Sequence, residues 1–259
     1  MITGSLLILA SGGFLSGILS GLLGIGGGFI VVSLLVSLGY TPIQAVATST
    51  LVIVMSSISG SLQNWRMGYL DYKRVIHLGL PALITAPIGV YLANRIPSYL
   101  LLSIFGLFLI ASIYLVELRK RLAINGKKSK EPKINLVVSR IGAGSLTGIL
   151  TGLLGVGGGA VLVPLQMLLL GEPIKVAIRT SLGVIVATAV SACIGHASEG
   201  HILFIQGFLL GAGGFLGAQI STRFLPKLSE SIVVRLFRIF LAIISIYMFW
   251  QAWTIYQGV

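Results

Sequence analysis

The feature that most constrains this chain is its lack of charge, because no charged side chain precedes Arg66. Apolar runs close to or longer than the ~20 residues that cross a bilayer as a helix recur to the end of the sequence. Hydrophobic residues make up 56% of the chain and charged residues only 9%, against ~25% in typical soluble domains. We therefore predict an all-α integral membrane protein.

The chain is also a tandem duplication. The stretch GILSGLLGIGGG at 17–28 recurs as GILTGLLGVGGG at 148–159, with only two conservative differences. We predict one membrane repeat over 1–118 and a second over 136–259. Between them, the polar and basic stretch 119–135 contains an Asn-Gly turn signal and is predicted to be a linker.

Each half offers five apolar segments, and the second segment of each half has only about a dozen residues. The ten predicted segments lie at 4–23, 28–40, 43–62, 75–93, 99–118, 136–154, 159–171, 174–195, 203–222 and 232–256. If all ten cross the bilayer, nearly every Lys and Arg outside the segments falls on the side of the linker, and only Arg95 falls on the other side. The positive-inside rule then predicts a cytoplasmic linker and two external termini.

An odd number of crossings per half places the two halves in opposite orientations. Such inverted-topology repeats are typical of secondary transporters. The net charge of +12 is explained by basic cytoplasmic loops, so we expect no nucleic-acid partner.

The repeated glycine phrase precedes the short segments and predicts a broken helix. An unwound Gly24–Gly28 followed by a short helix could cross the membrane, and the helix would then begin near the midplane. Its first amides and its positive dipole end would favour an anion, with Gly26, Gly27 and Gly28 closest to it. The second phrase predicts the same for Gly157, Gly158 and Gly159.

Tight helix packing is the alternative interpretation of these glycines. Gly13, Gly17 and Gly21 recur every four residues, as do their counterparts in the second half, which is typical of closely packed membrane helices. A dinucleotide-binding interpretation is poor, because neither phrase follows a strand or precedes a suitably spaced acid.

Hydroxyl groups occupy matching positions just after the short segments. Thr48 and Ser49 of the first half align with Thr180 and Ser181 of the second. These side chains could bind the substrate, or they could bond the carbonyls of their own helices.

Three further polar side chains are candidates for the substrate site. Arg179 lies within an apolar segment, where it could hold an oxyanion or could extend to the cytoplasmic surface. Asn64 and His196 align near the ends of the third segments and could donate to the substrate, relay a proton or bond loop backbone.

Other kinds of site are disfavoured by the sequence. All six carboxylates fall in loops or at segment ends, which argues against a carboxylate proton relay or Na⁺ site. We find no catalytic dyad and no His/Glu set at usable spacing, so we expect no enzyme activity, no cofactor and no metal site.

The duplicated GxxxGLLGxGGG, the P-x-x-A…A-T-S stretch that follows it and the basic central linker resemble the TauE/SafE family of membrane anion permeases. The resemblance covers the whole chain. It implies export, or sometimes import, of sulfite and organosulfonates across the inner membrane of a prokaryote. Ala47 stands where the second half has Arg179, so the expected site is asymmetric.

The leading hypothesis is a secondary transporter that moves a small sulfur oxyanion by alternating access. An uncoupled anion channel and a membrane scaffold without flux are the alternatives. The expected partners are a small anionic substrate and membrane lipid, with a coupling proton and a homodimer as open alternatives.

Overall fold

The fold is entirely helical over the residues that the structure, a computed structural model, describes: 2–93, 95–124, 136–154 and 158–257. The ten α-helices are α1 (Ile2–Leu23), α2 (Gly28–Ser37), α3 (Pro42–Arg66), α4 (Tyr72–Ala93), α5 (Ser98–Ile124), α6 (Leu136–Leu154), α7 (Gly159–Leu169), α8 (Ile174–Ser198), α9 (Phe204–Phe224) and α10 (Glu230–Tyr256). A short 3₁₀ turn, Leu225–Lys227, joins α9 to α10. The predicted all-α class and the ten segments are confirmed.

Four stretches are long and apolar enough to span a membrane within the described residues: Pro42–Arg66, Ile174–Ser198, Phe204–Lys227 and Glu230–Tyr256. The short helices α2 and α7 have 10 and 11 residues, as the sequence predicts. Whether all ten segments cross, and in which orientation each half lies, stays a prediction.

The helix ends follow local sequence signals. Thr41 caps α3 in a reciprocal arrangement with Gln44, and Pro42 occupies the first turn, where its missing N–H costs nothing. Ser229 caps α10 by accepting from the amide of Ile232. The helix α5 continues to Ile124, into the stretch predicted as linker, and the rest of that linker lies outside the described residues.

The most extensive helix packing joins the two halves. The helix α1 packs along α9, and α4 packs along α6. A Cβ on Gly13 would overlap the carbonyl of Leu210, and a Cβ on Gly144 would overlap the carbonyl of Leu78. In the sequence alignment Gly13 matches Gly144 and Leu210 matches Leu78, so equivalent residues make equivalent contacts in the two pairs.

The helices α3 and α8 pack against each other at the centre of the molecule. Many buried polar side chains belong to α3, including Ser59 and Gln63, and both of these hydrogen-bond to the half-buried Gln219 of α9. By contrast, large apolar side chains are exposed on outer helices, for example Ile84 on α4 and Ile246 on α10, each 71% exposed. An apolar exterior of this kind suits a lipid environment.

The close packing of α4 and α6 predicts opposite effects for two glycines that lie two residues apart. Gly144→Ala should lower the melting temperature of the purified protein, because the new methyl group meets the backbone of Leu78. Gly142→Ala is the control, since no atom lies within 4 Å of its Cβ position, and alanine should stabilise the helix by about 1 kcal/mol. Equal melting temperatures for the two variants would contradict this account.

Candidate functional site

The first glycine phrase forms a sharp break between α1 and α2. Three of its residues, Gly24, Gly26 and Gly27, have φ angles of 67°, 82° and 72°. Side chains with a Cβ rarely adopt this left-handed conformation, so glycine is required at each of these positions. The whole stretch Gly24–Gly28 is buried, which confirms that the second segment of this half is interrupted inside the protein.

Serine hydroxyls from three helices bind the carbonyls of this break. Ser181 Oγ on α8 donates to the Gly24 carbonyl at 2.6 Å, and Ser16 Oγ on α1 donates to the Gly27 carbonyl at 2.8 Å. Ser56 Oγ on α3 donates to the Gly26 carbonyl at 3.3 Å. Three carbonyls of the break are therefore already occupied by donors from the surrounding helices.

Four N–H groups at the break, by contrast, have no hydrogen-bond partner within the described residues. Within the described residues, the N–H groups of Gly26, Gly27, Gly28 and Phe29 have no hydrogen-bond acceptor. Because the glycines are buried at the start of α2, they leave unpaired donors at the positive end of a helix dipole. This combination favours a bound anion over a cation.

The second glycine phrase meets the first. Residues 155–157, and with them the predicted site residue Gly157, lie outside the described residues. Gly159, at the start of α7, lies so close to the first phrase that a Cβ would overlap the carbonyl of Gly24. Gly158 has a φ of −51°, whereas its counterpart Gly27 has a φ of 72°, so the two phrases differ in conformation at this position.

Most of the predicted hydroxyl groups have structural partners. Thr48 Oγ1 accepts from the amide of Leu203 at 3.0 Å, which ties α3 to the segment before α9. Ser49 Oγ donates to the carbonyl of Val46 in its own helix at 2.7 Å. Ser181 supports the first break, as described above, and Thr180 is buried beside it on α8.

Arg179 extends toward the turn between α3 and α4. Its guanidinium carbon lies 3.8 Å from the centroid of the Tyr69 ring, and such stacking stabilises a cation without neutralising it. The Nε atom of Arg179 is buried without a hydrogen-bond partner. The side chain is therefore partly buried at this end of the helix bundle and keeps donor capacity for an anion.

Asn64 and His196 occupy equivalent places at the ends of α3 and α8. Each accepts, through its backbone carbonyl, a hydrogen bond from the residue five positions later, Tyr69 or His201. The Asn64 side chain is fully buried, and both its amide nitrogen and its oxygen lack partners. Buried polar atoms of this kind normally bind water or a ligand.

Two further orphaned hydroxyls were missed by the sequence analysis. Ser20 on α1 and Thr222 on α9 are fully buried, and neither hydroxyl has a partner. Thr222 Oγ1 lies 3.2 Å from the Cβ position of Gly60, which is one helical turn before Asn64. Isolated Ser and Thr residues are common in membrane helices, so nothing in the sequence marks these two hydroxyls as unpartnered in the fold.

Charged side chains cluster at one end of the bundle. Arg74 on α4 pairs with Asp71 and with Glu172, each at 2.9 Å, and Arg140 on α6 lies 3.7 Å from Glu172. Gln206, which aligns with Arg74, instead donates to the hydroxyl of Tyr40, whose neighbour Thr41 aligns with Glu172. The ion pair is thus replaced by a neutral hydrogen bond in the other half.

A second cluster lies in the turn after α8, where His196, Glu199 and His201 each place one donor atom within 4.8 Å of the others. The convergence of these three side chains was not anticipated from the sequence. The turn at Gly200, whose φ is 72°, brings these three side chains together.

Comparison with known proteins identifies the family. A family model described as "Sulfite exporter TauE/SafE" matches residues 9–248. The chain is 27% identical, over 98% of its length and 99% of the relative's, to "Probable membrane transporter protein YunE" of Bacillus subtilis. It is 33% identical to a "Probable membrane transporter protein" of Methanocaldococcus jannaschii, with 73% of each chain covered.

A more distant relative is "Sulfite exporter TauE/SafE family protein 3" of Arabidopsis thaliana, which is 28% identical over 44% of this chain and 24% of its own length. These matches confirm the resemblance seen in the sequence. Together with the apolar helices, they indicate a multi-pass membrane protein. The chain belongs to the sulfite exporter TauE/SafE family of membrane transporters.

Proposed function

We propose that this protein is a secondary transporter that moves sulfite or a small organosulfonate by alternating access. The proposal rests on which backbone groups of the first break already have hydrogen-bond partners and which do not. The carbonyls of Gly24, Gly26 and Gly27 accept from Ser181, Ser56 and Ser16, whereas the amides from Gly26 to Phe29 are free of acceptors within the described residues. Such a site offers more free donors than free acceptors, and the oxygens of a sulfur oxyanion accept hydrogen bonds.

In this proposal the anion binds at the start of α2, close to the contact between the two glycine phrases. Asn64, Ser20 and Thr222 have buried polar atoms without partners, and in this proposal they line the path by which the anion reaches the break. Arg179 attracts the anion from the face where Tyr69 lies. Thr48 holds the frame around the site by accepting from the amide of Leu203, and the hydroxyl of Ser49 is already bonded within its own helix.

Alternating access is supported by the way the two halves pack. Equivalent glycines on α1 and α6 contact equivalent positions on α9 and α4, so the same helix pair occurs twice. An inverted-topology duplication of this kind lets the two halves exchange conformations around a central site. We place the ion-paired face in the cytoplasm, following the positive-inside rule, and both termini outside the inner membrane.

The first experiment is uptake of radiolabelled sulfite into proteoliposomes under anaerobic conditions, with protein-free liposomes as the control. We expect saturable uptake that taurine or sulfoacetate inhibits and that unlabelled sulfite inside the vesicles accelerates. Sulfate and chloride serve as competitors that test selectivity. Saturable flux without acceleration from the far side would indicate a channel, and no flux of any of these anions would refute the transport proposal.

Replacement of Arg179 tests its role in binding the anion. Arg179→Ala should reduce sulfite uptake by about 10- to 100-fold, since hydrogen bonds to a charged group contribute about 1.5–3 kcal/mol. Arg179→Lys should restore part of the activity, because it keeps the charge but loses the planar donor fork.

The matched control is Arg66→Ala, which removes an exposed arginine from the end of α3, near the same turn. It should transport at the rate of the unmodified protein. Wild-type uptake by a well-folded Arg179→Ala protein would remove this residue from the proposed site.

The supported break predicts different effects for two aligned serines. Ser181→Ala leaves the buried Gly24 carbonyl without its donor, which should cost about 1–3 kcal/mol and accelerate amide hydrogen exchange around Gly24–Gly28. Ser49→Ala removes only a bond within its own helix and should leave exchange at the break unchanged. Amide hydrogen exchange of both purified variants, measured by mass spectrometry, tests this prediction. Equal protection around Gly24–Gly28 in the two variants would contradict the supporting role of Ser181.

A further inference from the structure

The turn between α8 and α9 is built so that three side chains capable of binding a metal converge. His196 lies in the last turn of α8, Glu199 caps that helix, and His201 follows two residues later. The amide of Gly200 donates to the carbonyl of Ala197 at 3.1 Å, and the amide of His201 donates to the carbonyl of His196 at 3.3 Å. These bonds fold the chain back so that His201 lies beside His196.

The spacing of the donor atoms suits one divalent ion. Two ligands bound at about 2.1 Å to the same tetrahedral zinc ion lie about 3.4 Å apart. Nδ1 of His201 and Oε2 of Glu199 are separated by 3.2 Å, and one donor atom of His196 lies within 4.8 Å of both. The Glu199 side chain is 62% exposed, so it can rotate to close the remaining distance and leaves a path for the ion to enter.

A second observation supports a ligand at this place. Nδ1 of His196 is buried and has no hydrogen-bond partner. A buried imidazole nitrogen without a partner is destabilising, and a metal ion bound to the cluster would relieve it, either directly or by fixing the imidazole orientation.

The surrounding structure holds this turn in place. Ile202 is only 6% exposed, and the amide of the next residue, Leu203, donates to Thr48 Oγ1 on α3 at 3.0 Å. The backbone that carries the three side chains is therefore fixed before a metal ion arrives, which reduces the entropic cost of binding.

The geometry points to a zinc site formed by His196, Glu199 and His201, with its fourth coordination position open to water or an anion. Two imidazoles and one carboxylate are a donor set that zinc prefers, and three protein ligands leave one position free. This site is independent of the proposed transport activity, because it rests on the turn after α8 alone.

We call the end of the third helix in each half, with the turn that follows it, a corner. The two corners differ in positive charge. The aligned corner of the other half has Asn64 and Tyr69 in place of His196 and His201, and there the guanidinium of Arg179 lies over Tyr69. Ala47 is the residue that aligns with Arg179, so the corner with the two histidines lacks that positive charge. A bound zinc ion would supply positive charge at the corner with the two histidines, which has no arginine equivalent to Arg179.

The test is zinc binding by the full-length protein, purified in detergent with a tag free of histidine and treated with a chelator. Titration against a chromophoric zinc chelator should give one zinc ion per chain, and zinc should raise the melting temperature. His201→Ala and the nearly isosteric Glu199→Gln should each weaken binding by at least about 10-fold. His77→Ala, which removes the one histidine outside the cluster, should bind zinc like the unmodified protein.

Absence of stoichiometric binding by the unmodified protein at micromolar zinc would overturn the site. Unchanged affinity in Glu199→Gln, with the protein still monodisperse, would do the same. Because the measurement involves no flux, its outcome is separate from that of the uptake experiment.

Discussion

A buried break in a membrane helix requires every exposed backbone group to find a partner inside the protein, and this requirement organises the centre of the molecule. The break at Gly24–Gly28 is met by serines from α1, α3 and α8, so these three helices must lie against it in fixed positions. Only acceptors are satisfied by these contacts. In the proposed function the remaining donors bind the substrate, because unpaired N–H groups can be satisfied by an anion and not by a cation.

Close helix packing provides the rigidity that such a site needs. Along α1 and α6, the absence of side chains at Gly13 and Gly144 lets each helix approach the backbone of a helix from the other half. Glycine thus has two roles in α1 and in the break that follows it. In the helical part it permits contact, and in the broken part it permits the left-handed conformation.

Much of the fold was predictable because it depends on local patterns. Apolar runs mark the ten helices, and the glycine phrase marks the break and the short second segment. The pairing of α1 with α9 was not predictable, since small residues show that a helix packs closely without naming its partner. The site was predicted less completely. The free amides followed from the glycines, whereas the roles of Ser16, Ser56 and Thr222 depend on contacts between distant helices. The cluster at His196 depends on how the chain turns at Gly200.

Each half of the chain depends on the other half to cover its first helix. The first helix of each half packs on the fourth helix of the other half. The glycines that recur every four residues along each first helix, here called its glycine stripe, lie in that contact. A chain containing only one half would leave its stripe uncovered and would need a second copy to cover it, through an isologous interface. The covalent connection converts that association into an intramolecular one. It replaces a concentration-dependent equilibrium with a fixed effective concentration, and it allows the two halves to diverge, as Arg179 and Ala47 have done.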